Sequence, residues 1–81
     1  MSRNEVVERL NEVFQDVFDD ETIHVEESTT SSDIEDWDSL EHINLIVSVE
    51  HEFGIKFNMG EATSMKNVGE MVTIILERSE K

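Results

Sequence analysis

The chain has 81 residues, 37% of them apolar, with no cysteine, no proline and a formal net charge of −14. That length holds one small domain with one modest core (residues 1–81), and without cysteine it has no disulfide and no thiolate ligand or nucleophile. A field this negative excludes nucleic acid and disfavours anionic membranes. No apolar run approaches the roughly 20 residues of a membrane span, and Met1-Ser2-Arg3-Asn4-Glu5 lacks a signal stretch, so we expect a soluble, cytoplasmic monomer without membrane insertion.

Residues 3–18 read as an amphipathic helix. Val6, Leu10, Val13 and Val17 repeat at four-three-four spacing, and Val7, Phe14 and Phe18 widen the stripe. Residues 19–38 carry no helical period, and the Ser28–Ser32 run of hydroxyl residues signals a loop. Ile23, Val25, Ile34 and Trp37 should pin that loop to the core, giving an ordered segment with short turns. Residues 39–53 form a second helix with Leu45, Val49 and Phe53 inward and Ile46 beside them. Gly54 then acts as the C-terminal stop. One or two helical turns are expected at 61–66 around Ala62 and Met65, and a last helix at 68–78 with Val68, Met71, Val72 and Ile75 inward. The fold class is therefore all-α: an antiparallel four-helix bundle of three main helices and one short one.

Charge is distributed unevenly. Residues 1–53 hold 16 acids against 2 bases, whereas residues 54–81 hold 4 of each. No lysine or arginine occurs between Arg9 and Lys56. Such a surface attracts and orients basic partners in a salt-dependent way.

The most informative stretch is Asp36-Trp37-Asp38-Ser39-Leu40-Glu41-His42. Asp38 suits an N-cap, and Glu41, three residues on, is placed to complete a capping box. Ser39 then occupies the first helical position. Its hydroxyl lies at the positive end of the helix dipole, near N–H groups without intrahelical partners, where a phosphate is favoured. Read locally, the same serine is equally part of an ordinary capped helix start.

Asp38-Ser39-Leu40, followed by a helix ending Val49-Glu50-His51-Glu52-Phe53-Gly54-Ile55, resembles the acyl carrier protein family. Met65-Lys66-Asn67-Val68-Gly69-Glu70-Met71-Val72 is similar to that family's short third helix running into its fourth, so the likeness spans about residues 4–77. The resemblance implies a carrier and not an enzyme, with no catalytic residues and no metal. Ser39 would be esterified with 4′-phosphopantetheine taken from coenzyme A by a holo-carrier synthase (a phosphopantetheinyl transferase), and acyl groups would ride on the arm as thioesters. It further implies acyl-transferring and chain-elongating partners with basic surfaces. Asp38 would assist docking beside Leu40 and Glu41.

The second helix should be the recognition surface. With Leu45, Val49 and Phe53 inward, Glu41, Ile43, Val47 and Glu50 face other sides. Ile43 and Val47, one turn apart, either form an apolar contact patch or border the core. Glu50 and Glu52 match acidic positions of the family, whereas Asn44 and His51 stand where acids are common in carriers of fatty acid synthesis. The family's usual glycine two residues before Asp-Ser-Leu is replaced: Asp36-Trp37-Asp38-Ser39-Leu40 looks more like free-standing carriers of specialised polyketide, lipid or nonribosomal pathways. Fatty acid or related acyl-chain biosynthesis is the first expectation, and a specialised pathway the alternative.

Three other readings compete. Ser39 and His42, one turn apart, could form a nucleophile-base pair, but no Gly-x-Ser-x-Gly or oxyanion loop accompanies them. The dense acids Asp33, Glu35, Asp36 and Asp38 do not fit a calcium loop, since Asp38 falls where glycine is required and Asn44 where the closing glutamate belongs. An unmodified acidic helical adaptor would use the same charge with an inert Ser39.

Overall fold

The computed structural model describes residues 1–79. Among them are four α-helices and no strand: α1 (Arg3–Val17), α2 (Ser39–Phe53), α3 (Met59–Ser64) and α4 (Val68–Ser79), with a single 3-10 turn at Ser31–Asp33. The expected fold class is the one observed, three main helices and one short one. The last two residues of the expected domain lie outside the described residues. No helix here is long and apolar enough to cross a membrane.

The apolar stripes named above make the core. Val6, Leu10 and Phe14 of α1 are fully buried against Leu45 and Val49 of α2 and Val68, Met71, Val72 and Ile75 of α4. Burial of each such leucine, isoleucine or phenylalanine contributes about 1.5–3 kcal/mol. Phe53 packs on the core as expected, from its edge. It is half-buried at the end of α2, with the Arg9 guanidinium 4.4 Å from its ring centroid and Arg9 Nη2 paired with Glu52 at 2.9 Å. The bundle's edge thus closes with a cation over an aromatic face.

Each helix start and stop has a local cause. Ser2 caps α1 in a full capping box with Glu5. Gly54, at φ 65°, ends α2 in the left-handed region that a glycine enters without Cβ strain. At the end of α1 the same conformation falls to Asp19, at φ 51°. There the Asp20 N–H donates to the Gln15 carbonyl at 3.0 Å and the Asp19 N–H to the Asp16 carbonyl at 3.3 Å, a Schellman closure built on a non-glycine residue.

The long loop is ordered, as its apolar pins predict. Val25 is fully buried, and Ile23, Ile34 and Trp37 pack on the core. Polar ties from α1 add to this. Asn11 Oδ1 accepts the Val25 N–H at 2.7 Å, and Gln15 Nε2 donates to the Ile23 carbonyl at 2.9 Å. The loop also receives the start of α4: the Val68 and Gly69 N–H groups donate to the Thr29 and Glu27 carbonyls at 2.9 and 2.8 Å. A Cβ on Gly69 would lie 3.1 Å from the Glu27 carbonyl oxygen, so a larger residue there would push the loop back by a few tenths of an ångström.

The short helix differs from the expected 61–66. It runs two residues earlier, Met59–Ser64, because Asn58 caps it in a capping box with Glu61; Met65 falls at its C-terminal cap. None of its residues is fully buried. It is held by polar contacts: Arg78 of α4 pairs with Glu61 and donates to the Lys56 carbonyl at 3.1 Å.

Candidate functional site

Ser39 is the first residue of α2 and is exposed. Asp38 immediately before it is extended, at φ −106° and ψ −174°, and its Oδ1 accepts the Glu41 N–H at 2.8 Å. The Asp38 carbonyl takes the His42 N–H at 2.8 Å, the first bond of the helix. The cap thus fixes the direction of α2 and leaves the Ser39 hydroxyl facing solvent at the positive end of its dipole.

The expected capping box at this junction is half formed. Glu41 does not reach back to Asp38; its Oε1 accepts from Asn44 Nδ2 at 2.8 Å. Asn44 lies one turn on and offers an amide donor at the spacing where side chains on a helix meet, so it competes successfully for the carboxylate.

A cleft of about 550 Å³ opens beside Ser39. Trp37, Asp38, Ser39 and His42 form one side, and Thr63, Met65, Lys66 and Asn67 the other. His42 ties the sides together. Trp37 Nε1–H donates to His42 Nδ1 at 3.0 Å, and His42 Nε2 lies 2.6 Å from the Ala62 carbonyl oxygen, which can only accept. The ring therefore carries its proton on Nε2. Trp37 also stacks on His42, at 5.9 Å and 28° between ring planes, and meets Phe14 edge-on at 5.2 Å and 82°. With both ring nitrogens engaged, His42 is not available as a base for Ser39, which removes the nucleophile-base reading.

The charged side chains lining the cleft are Asp38 and Lys66, while a separate ion pair, Glu61 of α3 with Arg78 of α4, holds α3 in place. The Arg78 guanidinium beside Glu61 holds its carboxyl below the ordinary glutamate range, and the Asn58 N–H that it accepts adds to this; the same pair raises Arg78.

No protein-family model matches the chain. The acyl carrier protein of Lactobacillus acidophilus is 29% identical over 75 residues, covering 93% of this chain and 94% of that protein. That of Acidothermus cellulolyticus is also 29% identical over 75 residues, covering 93% and 89%. The solution structure of holo acyl carrier protein from Geobacter metallireducens superposes with a TM-score of 0.84 at 41% identity, covering 90% of this chain and 84% of that one. The chain belongs to the acyl carrier protein family.

An acyl carrier protein is a carrier and not an enzyme, so its working parts are an attachment point and a surface. The exposed face of α2 presents Leu40, Ile43 and Val47, 69%, 61% and 56% exposed. Ile43 and Val47 are thus exposed and not covered as a border of the core. Met59, 81% exposed, adds an apolar side chain that periodicity did not single out. The acids are less free than the sequence suggests. Glu41 is half-buried and bonded to Asn44, and Glu50 is half-buried with its Oε2 accepting the Phe57 N–H at 2.8 Å. Glu50 thereby fastens the loop after α2. Sequence reasoning also missed the tie made by His42, whose partners are 5 and 20 residues away.

Proposed function

We propose that this acyl carrier protein is loaded at Ser39, as a 4′-phosphopantetheine carrier for fatty acid or related acyl-chain biosynthesis. In the loading step Ser39 Oγ forms a bond to the pantetheine-bearing phosphorus of coenzyme A as the phosphoanhydride bond breaks. Adenosine bisphosphate leaves, and the hydroxyl proton passes to a base on the transferase. The arm's terminal thiol, when present, carries acyl groups as thioesters. The observation that carries this reading is the exposed hydroxyl at the first position of a capped helix, open on a cleft of about 550 Å³. A phosphate there gains about 0.3–1 kcal/mol from the helix dipole.

The chain's own tasks are presentation and recognition. Asp38 orients the attachment residue through its cap. Leu40, Ile43 and Val47, beside Asp38, Glu41 and Glu50, form the docking face for the holo-carrier synthase and for acyl-transferring and chain-elongating enzymes with basic surfaces. These encounters belong in the cytoplasm. An arm that keeps cargo tethered raises its effective concentration at successive enzymes.

A second reading, a free-standing carrier of a specialised pathway, is favoured by Asn44 and His51 in place of acids and by the apolar stripe between them. Malonyl loading by the transferase of fatty acid synthesis separates the two, since a specialised carrier should be a poor acceptor.

The experiment for the primary reading is incubation with coenzyme A and a phosphopantetheinyl transferase of broad specificity, followed by intact mass measurement. The wild-type chain should gain one phosphopantetheine and Ser39→Ala none. An unchanged wild-type mass contradicts the assignment.

A further inference from the structure

The cleft beside Ser39 is lined by one cation. Its wall carries Asp38, Ser39, Thr63, Lys66 and Asn67 around Trp37. The other described cations are placed elsewhere. Arg3 pairs with Glu27, Arg9 with Glu52 and Arg78 with Glu61, while Lys56 borders a separate hollow with Val47 and His51. Lys66 is exposed in the link between α3 and α4, and its ammonium makes no ion pair among the described residues. Glu70 accepts the Lys66 backbone N–H at 3.3 Å, which leaves the ammonium out of that bond.

An anion bonded to Ser39 Oγ is confined to the mouth of that cleft by covalent geometry. A phosphodiester stays ionised at neutral pH, and here it would stand among Asp36, Asp38 and Glu41, in a stretch without lysine or arginine from Arg9 to Lys56. Repulsion from these carboxylates would drive it outward. The first turn of α2 offers partial positive charge, and the cleft wall offers Lys66.

Building on the reading of Ser39 above, we propose that Lys66 is a positioning residue for the arm. Its ammonium pairs with the phosphodiester and holds the arm's first segment against the link between α3 and α4. A compact ammonium on a flexible four-carbon stem suits this task. It reaches across a cleft and meets either ionised oxygen without demanding one planar geometry. The direction in which the arm leaves the protein then depends on ionic strength, because an exposed pair is screened by salt.

The test compares apo and holo forms of the wild-type chain, Lys66→Gln and Lys56→Gln. Each is loaded with coenzyme A and transferase, confirmed by intact mass, and measured by phosphorus-31 NMR and by thermal unfolding at low and high salt. Subtracting apo from holo removes any effect of the substitution on the fold itself. At low salt the arm should raise Tm by about 1–5 °C more in wild type than in Lys66→Gln, the size an exposed ion pair gives in a chain of this length. High salt should close the difference. The phosphodiester resonance should move in Lys66→Gln and stay in place in Lys56→Gln. A wild-type chain that gains no arm overturns the reading of Ser39, and this one with it. A loaded chain with the same resonance and the same holo-minus-apo shift in wild type and Lys66→Gln overturns the role of Lys66 alone.

Discussion

His42 joins three parts of the chain through one ring: the loop at Trp37, the first turn of α2 and the carbonyl of Ala62 near the end of α3. Replacing it with phenylalanine keeps an aromatic surface for Trp37 but leaves an indole N–H and a carbonyl without partners. Such a loss costs about 1–3 kcal/mol in a partly buried setting. His42→Phe should therefore lower Tm by about 4 °C or more, whereas His51→Phe, at an exposed position, should leave it nearly unchanged. Equal Tm for His42→Phe and wild type would refute the tie. This residue marks the limit of what spacing reveals. Asp38 and Ser39 were legible because a cap is made within four residues, and its signature is local. His42 was not, because its partners depend on how the loop and α3 come together. Glu41 misled for a related reason: its capping-box spacing is genuine, but Asn44 offers a competing donor one turn away.

At the scale of elements, α3 is held chiefly by polar contacts, with only Ala62 packed against the edge of the core. It has six residues and no fully buried side chain, and its anchors are the Arg78–Glu61 pair, the Asn58 cap and the bond to His42. Glu61 titrates below its ordinary value of 4.5 in the folded chain. A carboxyl whose folded pKa is lowered stabilises the fold above the unfolded value, and that contribution is lost as pH falls through the lower folded value. The amides of α3 should accordingly lose hydrogen-exchange protection as pH drops below about 4.5, and Glu61→Gln should flatten that dependence within α3. An identical pH profile in the variant would show that Glu61 does not anchor the helix. The helices that pack through stripes, α1, α2 and α4, were legible from period alone. The bounds of α3 were not, because Met59 and Gly60 contribute nothing to the core; the readable signal was Asn58 followed three residues later by Glu61. In the loop, Val25 was foreseen as a pin, but Asn11 and Gln15 look like solvated polar positions until the loop lies against them.

Over the whole molecule the dominant quantity is charge. A net −14 on 81 residues means that the folded state brings like charges together. Raising the ionic strength from about 10 mM to 150 mM shortens the Debye length from about 30 Å to 8 Å and should raise Tm, because more repulsion than attraction is screened. A Tm that falls with salt would mean that the ion pairs of Arg3, Arg9 and Arg78 outweigh the repulsion. The same imbalance, concentrated in residues 1–53, gives the proposed docking face its long-range pull on basic partners. All of this serves the proposed attachment point at Ser39, and mapping the loaded residue tests it most directly. After loading from coenzyme A, the protein is digested and the peptide bearing the added mass is fragmented. The account predicts a single adduct on Ser39; an adduct on any other serine or threonine, Ser31 and Ser48 included, would contradict it.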